Sequence, residues 1–102
     1  MEVICINDKF SPEWEVYFSN HGITKPIMDK VYTVREVVPN TVGEKGFLLV
    51  EIVNKPTPRI SPLTGMSGMA EQNWAVSRFT TLTGEPISKE KISEIIKQSL
   101  EV

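Results

Sequence analysis

Cys5 and His21 are the two residues whose types would suit a nucleophile–base pair in this 102-residue chain. A catalytic cysteine needs a partly exposed thiolate beside a histidine that a third group orients. Cys5, however, stands between Ile4 and Ile6, and free cysteines are among the most buried residues in proteins. The sequence therefore predicts a structural cysteine, a solvent-exposed histidine in a turn, and no enzyme activity.

Metal and cofactor chemistry finds little support in the residue types. One Cys and one His cannot supply the four nitrogen or sulfur ligands of a structural zinc site. The acidic residues do not follow the spacing of a calcium loop, and the chain has no GxGxxG, P-loop or GxSxG motif. We expect neither a metal nor a cofactor. Paired carboxylates nevertheless leave a small hydrolase as a hypothesis.

The composition is that of one globular domain. Hydrophobic residues make up 40% of the chain and charged residues 24%, which excludes a disordered tail, a collagen-like fibre and a disulfide scaffold. With 11 basic and 13 acidic side chains, no long-range field steers the chain to nucleic acid or to an anionic membrane. The single cysteine and the short apolar run of 3–6 predict a cytoplasmic protein without a signal peptide or membrane span.

Hydrophobic patterning predicts four strands and a long loop. The first strand is a short apolar run, and the second alternates, with Tyr32 and Val34 on one face and Thr33 and Arg35 on the other. A hairpin over 40–46 joins the second strand to the third. Closely spaced prolines and glycines predict an irregular loop over 55–73. The predicted strands are Val3–Ile6, Val31–Val38, Phe47–Val53 and Trp74–Phe79.

Two helices are suggested by their start signals. Ser11 and Pro12 mark one, with aromatic residues at i, i+3 and i+4, although 16–18 would equally suit a strand. Ser88 caps a second helix from about Lys89 to Leu100, whose apolar stripe either seals the domain or packs on another chain. Self-association through this stripe or through an edge strand is left open.

The order of these segments resembles a group of small phage and prophage proteins. The similarity rests on VICIND, PIMDKVYTVREVV, GFLLVEI and NWAVSRFTTL, and it covers Val3 to Leu82 without the proline-rich loop. The resemblance implies an SH3-like β-barrel. Asp29 stands where the group usually has glycine in a turn, and aspartate tolerates a left-handed backbone. The loop and the last helix are longer than the group's outline requires.

We therefore expect a mainly β domain, with an SH3-like barrel of about five strands and a C-terminal helix packed on it. Residues 1–82 form the barrel, with the Pro/Gly-rich loop at 55–73. Residues 83–102 form a helical extension of the same domain. The two additions to the group's outline are where a function particular to this chain is expected.

The function expected from the sequence is a non-catalytic interaction module of phage or mobile-element origin. It binds an unidentified protein partner, because an SH3-like barrel offers an aromatic groove for extended peptides. Trp74 and Tyr32 are alternatively plain core residues. The predicted partner-binding residues are Trp14, Tyr17, Arg59, Met66, Met69 and Trp74.

The alternative hypothesis is a weak nucleic-acid-binding domain. Bases would stack on aromatic rings while a basic groove follows the phosphates. Against it, acids are as frequent as bases along the chain, and basic residues form no run. The candidate contacts are Lys30, Arg35, Lys55, Arg59 and Arg78, interleaved with Trp14, Tyr32 and Trp74.

Overall fold

The protein is a mixed α/β fold with one larger and one smaller antiparallel sheet. The computed structural model describes residues 1–39, 44–60, 65 and 67–100, and for 59, 60 and 97–100 only the backbone. Its strands are β1 (Glu2–Cys5), β2 (Val31–Pro39), β3 (Lys45–Leu49), β4 (Thr57–Ile60), β5 (Ser67–Ala70), β6 (Trp74–Ala75) and β7 (Phe79–Thr80). Its helices are α1 (Pro12–His21) and α2 (Lys89–Leu100), and a 3-10 turn covers Val76–Arg78.

The larger sheet has the strand order β6-β3-β2-β1-β7. β1 pairs antiparallel with β2 and β7, while β3 pairs antiparallel with β2 and β6. A bulge interrupts β2 between Val34 and Glu36. The two edge strands come from one short stretch of chain, since only the 3-10 turn separates β6 from β7.

The prediction of a closed barrel was wrong. β6 and β7 lie at opposite edges of the sheet and do not pair with each other, so the sheet stays open. The strand predicted over Trp74–Phe79 is for the same reason two short strands joined by a turn. Its middle leaves the β conformation because the segment changes from one edge of the sheet to the other.

Alternation along the strands defines the core. Val3 and Cys5 of β1 are fully buried, and Tyr32 and Val34 of β2 are nearly so, which confirms the predicted face of β2. Tyr32 is thus a core residue rather than a stacking surface, and its hydroxyl accepts the Ile27 N–H at 2.8 Å. The other members of the core are Phe18, Phe47, Leu49, Ile52, Trp74, Phe79 and Ile95.

The structure confirms both predicted helices. The Ser11 hydroxyl accepts the Trp14 N–H, Pro12 occupies the first turn, and Gly22 ends α1 in a left-handed conformation. The strand alternative for 16–18 is therefore excluded. Ser88 caps α2 through the Lys91 N–H, and α2 packs against β2 of its own chain.

The segment 55–73 is not the irregular loop that its prolines and glycines predict. β4 and β5 form a two-stranded antiparallel sheet within it, in the register Thr57 with Ala70 and Ile60 with Ser67. β4 contains Pro58 and β5 contains Gly68, and proline and glycine within a run argue against a strand in a sequence pattern. The tip of this β4–β5 hairpin lies partly outside the described residues.

Asp29 adopts the left-handed backbone that the resemblance implies for this turn, with φ of 70°. It follows the 25–28 stretch and precedes β2, and its N–H donates to the Cys5 carbonyl at 2.8 Å. This bond places the turn against the end of β1. The position requires a residue that tolerates positive φ, and among non-glycine residues Asp and Asn do so best.

We expect Asp29→Val to lower the free energy of unfolding by about 1–2 kcal/mol, since a β-branched residue is strained at positive φ. Asp29→Gly and Asp29→Asn serve as controls and should stay within about 0.5 kcal/mol of the parent. Urea denaturation followed by tryptophan fluorescence measures the difference. Equal stability of the Val and Gly variants would show that the turn relaxes freely.

Candidate functional site

A stripe of aromatic side chains runs along the outer side of α1. Trp14 is 40% exposed, and its ring meets the Tyr17 ring edge-on at 5.6 Å between centroids. The Tyr17 ring in turn lies 4.4 Å from the ring of the exposed His21. We call Trp14, Tyr17 and His21 the aromatic surface, because their i, i+3, i+7 spacing places them on one side of the helix.

Buried rings support the aromatic surface from below. Phe18 lies 5.7 Å from Trp14, 4.9 Å from Phe10 and 5.6 Å from Trp74, measured between ring centroids. Trp74 itself is only 2% exposed. Its placement among the partner-binding residues is therefore corrected: it belongs to the core that holds α1, as the alternative interpretation had it.

The aromatic surface is joined to the β4–β5 hairpin by a hydrogen bond. The Tyr17 hydroxyl donates to Thr57 Oγ1 at 3.0 Å, and Thr57 is buried at the start of β4. Met69 on β5 is 66% exposed. Of the other predicted contacts in this segment, Met66 and the side chain of Arg59 lie outside the described residues.

Arg78 holds the segment between β6 and β7 against the start of the chain. Its guanidinium lies 3.7 Å from the centroid of the Phe10 ring and donates to the carbonyl oxygens of Asn7 and Lys9 at 3.3 and 2.9 Å. Burial lowers the pKa of Arg78 from its usual range. The side chain thus makes a structural contact between the 3-10 turn and the start of the chain.

Arg35 has a structural partner that the sequence did not indicate. Its guanidinium donates to both carboxylate oxygens of Glu71 and, through Nε, to the Leu49 carbonyl at 2.9 Å. Glu71 also accepts the Asn54 N–H at 3.1 Å. The pair connects β2 to the segment before β6 across 36 positions of sequence, a separation that no local pattern reveals.

Of the basic residues proposed for nucleic-acid binding whose side chains are described, two are committed to contacts within the protein. Arg35 and Arg78 are engaged as described, and their candidate stacking partners Tyr32 and Trp74 are buried. Lys30 and Lys55 are exposed. Of the stacking aromatics named for this hypothesis, Trp14 is the exposed one.

We expect Glu71→Ala to cost about 2–3 kcal/mol of unfolding free energy, because it leaves the Arg35 guanidinium and the Asn54 N–H without their acceptor. The two side chains of the ion pair are only 28% and 16% exposed, so solvent replaces the contact poorly. Glu71→Gln keeps the shape and should lose less. Glu36→Ala, at an exposed position of β2, is the matched control and should change stability by less than about 0.5 kcal/mol.

Cys5 and His21 do not form a nucleophile–base site. Cys5 is fully buried, and its thiol donates to the Asn7 carbonyl with Sγ 3.7 Å from the oxygen. Burial is the main cause that raises the pKa of the Cys5 thiol. His21 lies at the end of α1 against Tyr17. The thiol therefore stays protonated inside the core. Cys5 is thus the structural cysteine that the sequence predicts.

The Cys5 thiol should react with a chromogenic disulfide reagent at least about 100-fold more slowly in the native protein than in urea, because both burial and protonation oppose thiolate attack. The absorbance of the released thiolate at neutral pH measures the rate. Native reactivity as fast as that of the unfolded chain would restore Cys5 as a candidate nucleophile.

Within the parts of the chain that the structure describes, acidic, His and Cys side chains form no group of three that suits a metal ion. Neither helix, over its described residues, is long and apolar enough to span a bilayer. Comparisons with protein-family models, curated proteins and solved structures find no match to this chain.

Proposed function

We propose that this protein is a non-catalytic interaction module that binds a protein partner through the aromatic surface of α1 and the adjoining β4–β5 hairpin. The observation that carries the proposal is Trp14, a tryptophan 40% exposed to solvent on a helix that is anchored in the core. Tryptophan and tyrosine are the residues that most often dominate the binding energy of protein interfaces.

The aromatic surface is organised before any partner arrives. The Trp14 ring contacts both Tyr17 and Phe18, and the Tyr17 hydroxyl is held by Thr57. A side chain that already occupies one orientation loses less conformational entropy on binding. Exposed Met69 adds a flexible apolar contact on the hairpin.

An SH3-like ancestry is part of the proposal. Support comes from the strand order β6-β3-β2-β1-β7 and from the 3-10 turn that joins the two edge strands. In this proposal the sheet is an opened form of such a barrel, with the hairpin and α2 as additions. The phage or mobile-element origin rests on the short strand motifs alone.

Nucleic-acid binding is the less supported alternative. Arg35 and Arg78, the two candidate arginines whose side chains are described, donate to backbone carbonyls and to a carboxylate. The chain also carries a net charge of −2, which gives no electrostatic attraction to phosphates. If the protein fails to bind mixed oligonucleotides at every salt concentration, the result agrees with the protein-binding proposal.

A photo-crosslinking amino acid at position 14 tests the protein-binding proposal in cells that express the chain. Irradiation should attach a partner protein at position 14 but not at Ser93, an exposed position of α2. Excess wild-type protein should suppress the adduct, and excess Trp14→Ala should not. Equal adducts at both positions, or none at position 14, would contradict the proposed surface.

The stability of the competitor protein is a necessary control. Trp14→Ala should cost about 1–2 kcal/mol, because a ring that is 40% exposed has less buried surface to lose than one that is 2% exposed. Trp74→Ala should cost about 3–5 kcal/mol, because it opens a cavity in the core. Urea denaturation that ranks the two variants in the opposite order would refute the assignment of Trp14 to the surface and Trp74 to the core.

A further inference from the structure

The β4–β5 hairpin exposes one strand without the usual protection of an edge. All four residues of β5, Ser67 to Ala70, are exposed, and none is charged or proline. Within the described residues the small sheet contains only β4 and β5, so no strand covers the outer edge of β5. Natural proteins usually blunt such an edge with charge, proline or a covering segment.

The position of Pro58 shows which backbone groups of β5 point outward. Pro58 has no N–H and lies opposite Met69, so these two residues form a non-hydrogen-bonded pair. The hydrogen-bonded pairs are then Thr57 with Ala70 and Arg59 with Gly68. The N–H and C=O groups of Ser67 and Met69 consequently face away from β4, toward the open edge.

The other described edge strands are less suited to pairing with an additional strand. Pro58 removes a donor from the outer edge of β4. β7 is bridged by Pro86 opposite Thr80, and it has only two residues. β6 is also two residues long. Among the described strands, β5 is therefore the edge on which another strand can best be added.

We propose that β5 pairs antiparallel with β5 of a second copy of this chain. In the two-fold arrangement Ser67 lies opposite Met69 of the second copy, so the outward backbone groups of both chains satisfy each other. Gly68 meets its own counterpart on the symmetry axis, where side chains come closest. The space around Gly68 is open, with no atom within 4 Å of a Cβ built there.

A second copy is favoured over other occupants because this edge is complementary to itself. A strand without charges brings no like charges together when it is paired with its own copy. The two Met69 side chains become diagonal neighbours on one face, about 7–8 Å apart between backbones, which is within reach of long side chains. Each would cover part of the other's exposed thioether. This pairing shares Met69 with the proposed partner-binding surface but uses no residue of the aromatic surface on α1.

Register-specific disulfide formation tests the proposal directly. Gly68→Cys places two thiols on the symmetry axis with Cα atoms about 4.5–5.5 Å apart, which suits a disulfide. Ala70→Cys is the matched control, because its counterpart lies more than about 13 Å away in this register. Under oxidised glutathione we expect a covalent dimer at least about tenfold faster for Gly68→Cys. The native Cys5 is buried and does not compete.

Sedimentation of the native sequence supplies the second measurement. The wild-type chain should show a concentration-dependent monomer–dimer equilibrium, which Met69→Pro shifts to monomer by removing an outward N–H while leaving the pairing with β4. Met69→Leu keeps that N–H and should keep the dimer, as should Trp14→Ala. Circular dichroism establishes that each variant is folded.

Two results would overturn the proposal. One is equal crosslinking of the two cysteine variants, or no crosslinking together with a wild-type chain that stays monomeric at every concentration. The other is a monomer whose β5 edge takes up an extended uncharged peptide, which would assign the edge to a strand of another protein. A failed crosslink at position 14 leaves this pairing unaffected, so the two proposals fail separately.

Discussion

The fold depends on one short stretch of chain that must reach both edges of the larger sheet. Ala75 pairs with Gly46 at one edge, and Phe79 pairs with Cys5 at the other. In a flat sheet these edges lie four strand spacings apart, about 19 Å, whereas four residue steps reach at most about 14 Å. The sheet must therefore curl. Its concave side encloses the core, which explains why Trp74 and Phe79, at opposite edges, are both buried.

The same stretch determines where the aromatic surface lies. Arg78, in the turn between the edge strands, stacks on Phe10 and binds the carbonyls of Asn7 and Lys9. These residues connect β1 to α1, so the curl of the sheet and the position of the helix are coupled. Phe10 and the neighbouring core rings then fix the angle at which α1 presents its outer side. The orientation of the exposed Trp14 on α1 therefore depends on the short segment between β6 and β7.

Local patterns predicted the elements whose causes are local. The alternation of β2, the Pro12 start of α1 and the Ser88 cap of α2 all follow from neighbouring residues. The predictions that failed concern strand pairing and contacts between distant segments. The 55–73 segment contains strands that form only because they pair with each other, and the Arg35–Glu71 contact joins positions far apart in sequence. Whether the sheet closes into a barrel likewise depends on how its two edge strands meet. The hydrophobic periodicity of the sequence carries no information on that contact.

The β4–β5 hairpin shows how a strand edge can be exposed and still be held in place. Two strands of four residues are marginal by themselves in water, and β5 buries no side chain. The hairpin is instead anchored at its ends: Asn54 exchanges hydrogen bonds with the Thr24 backbone, Thr57 binds the Tyr17 hydroxyl, and Glu71 binds Arg35. Because these polar anchors lie outside β5, another strand can be added to its edge without disturbing the core or the anchors.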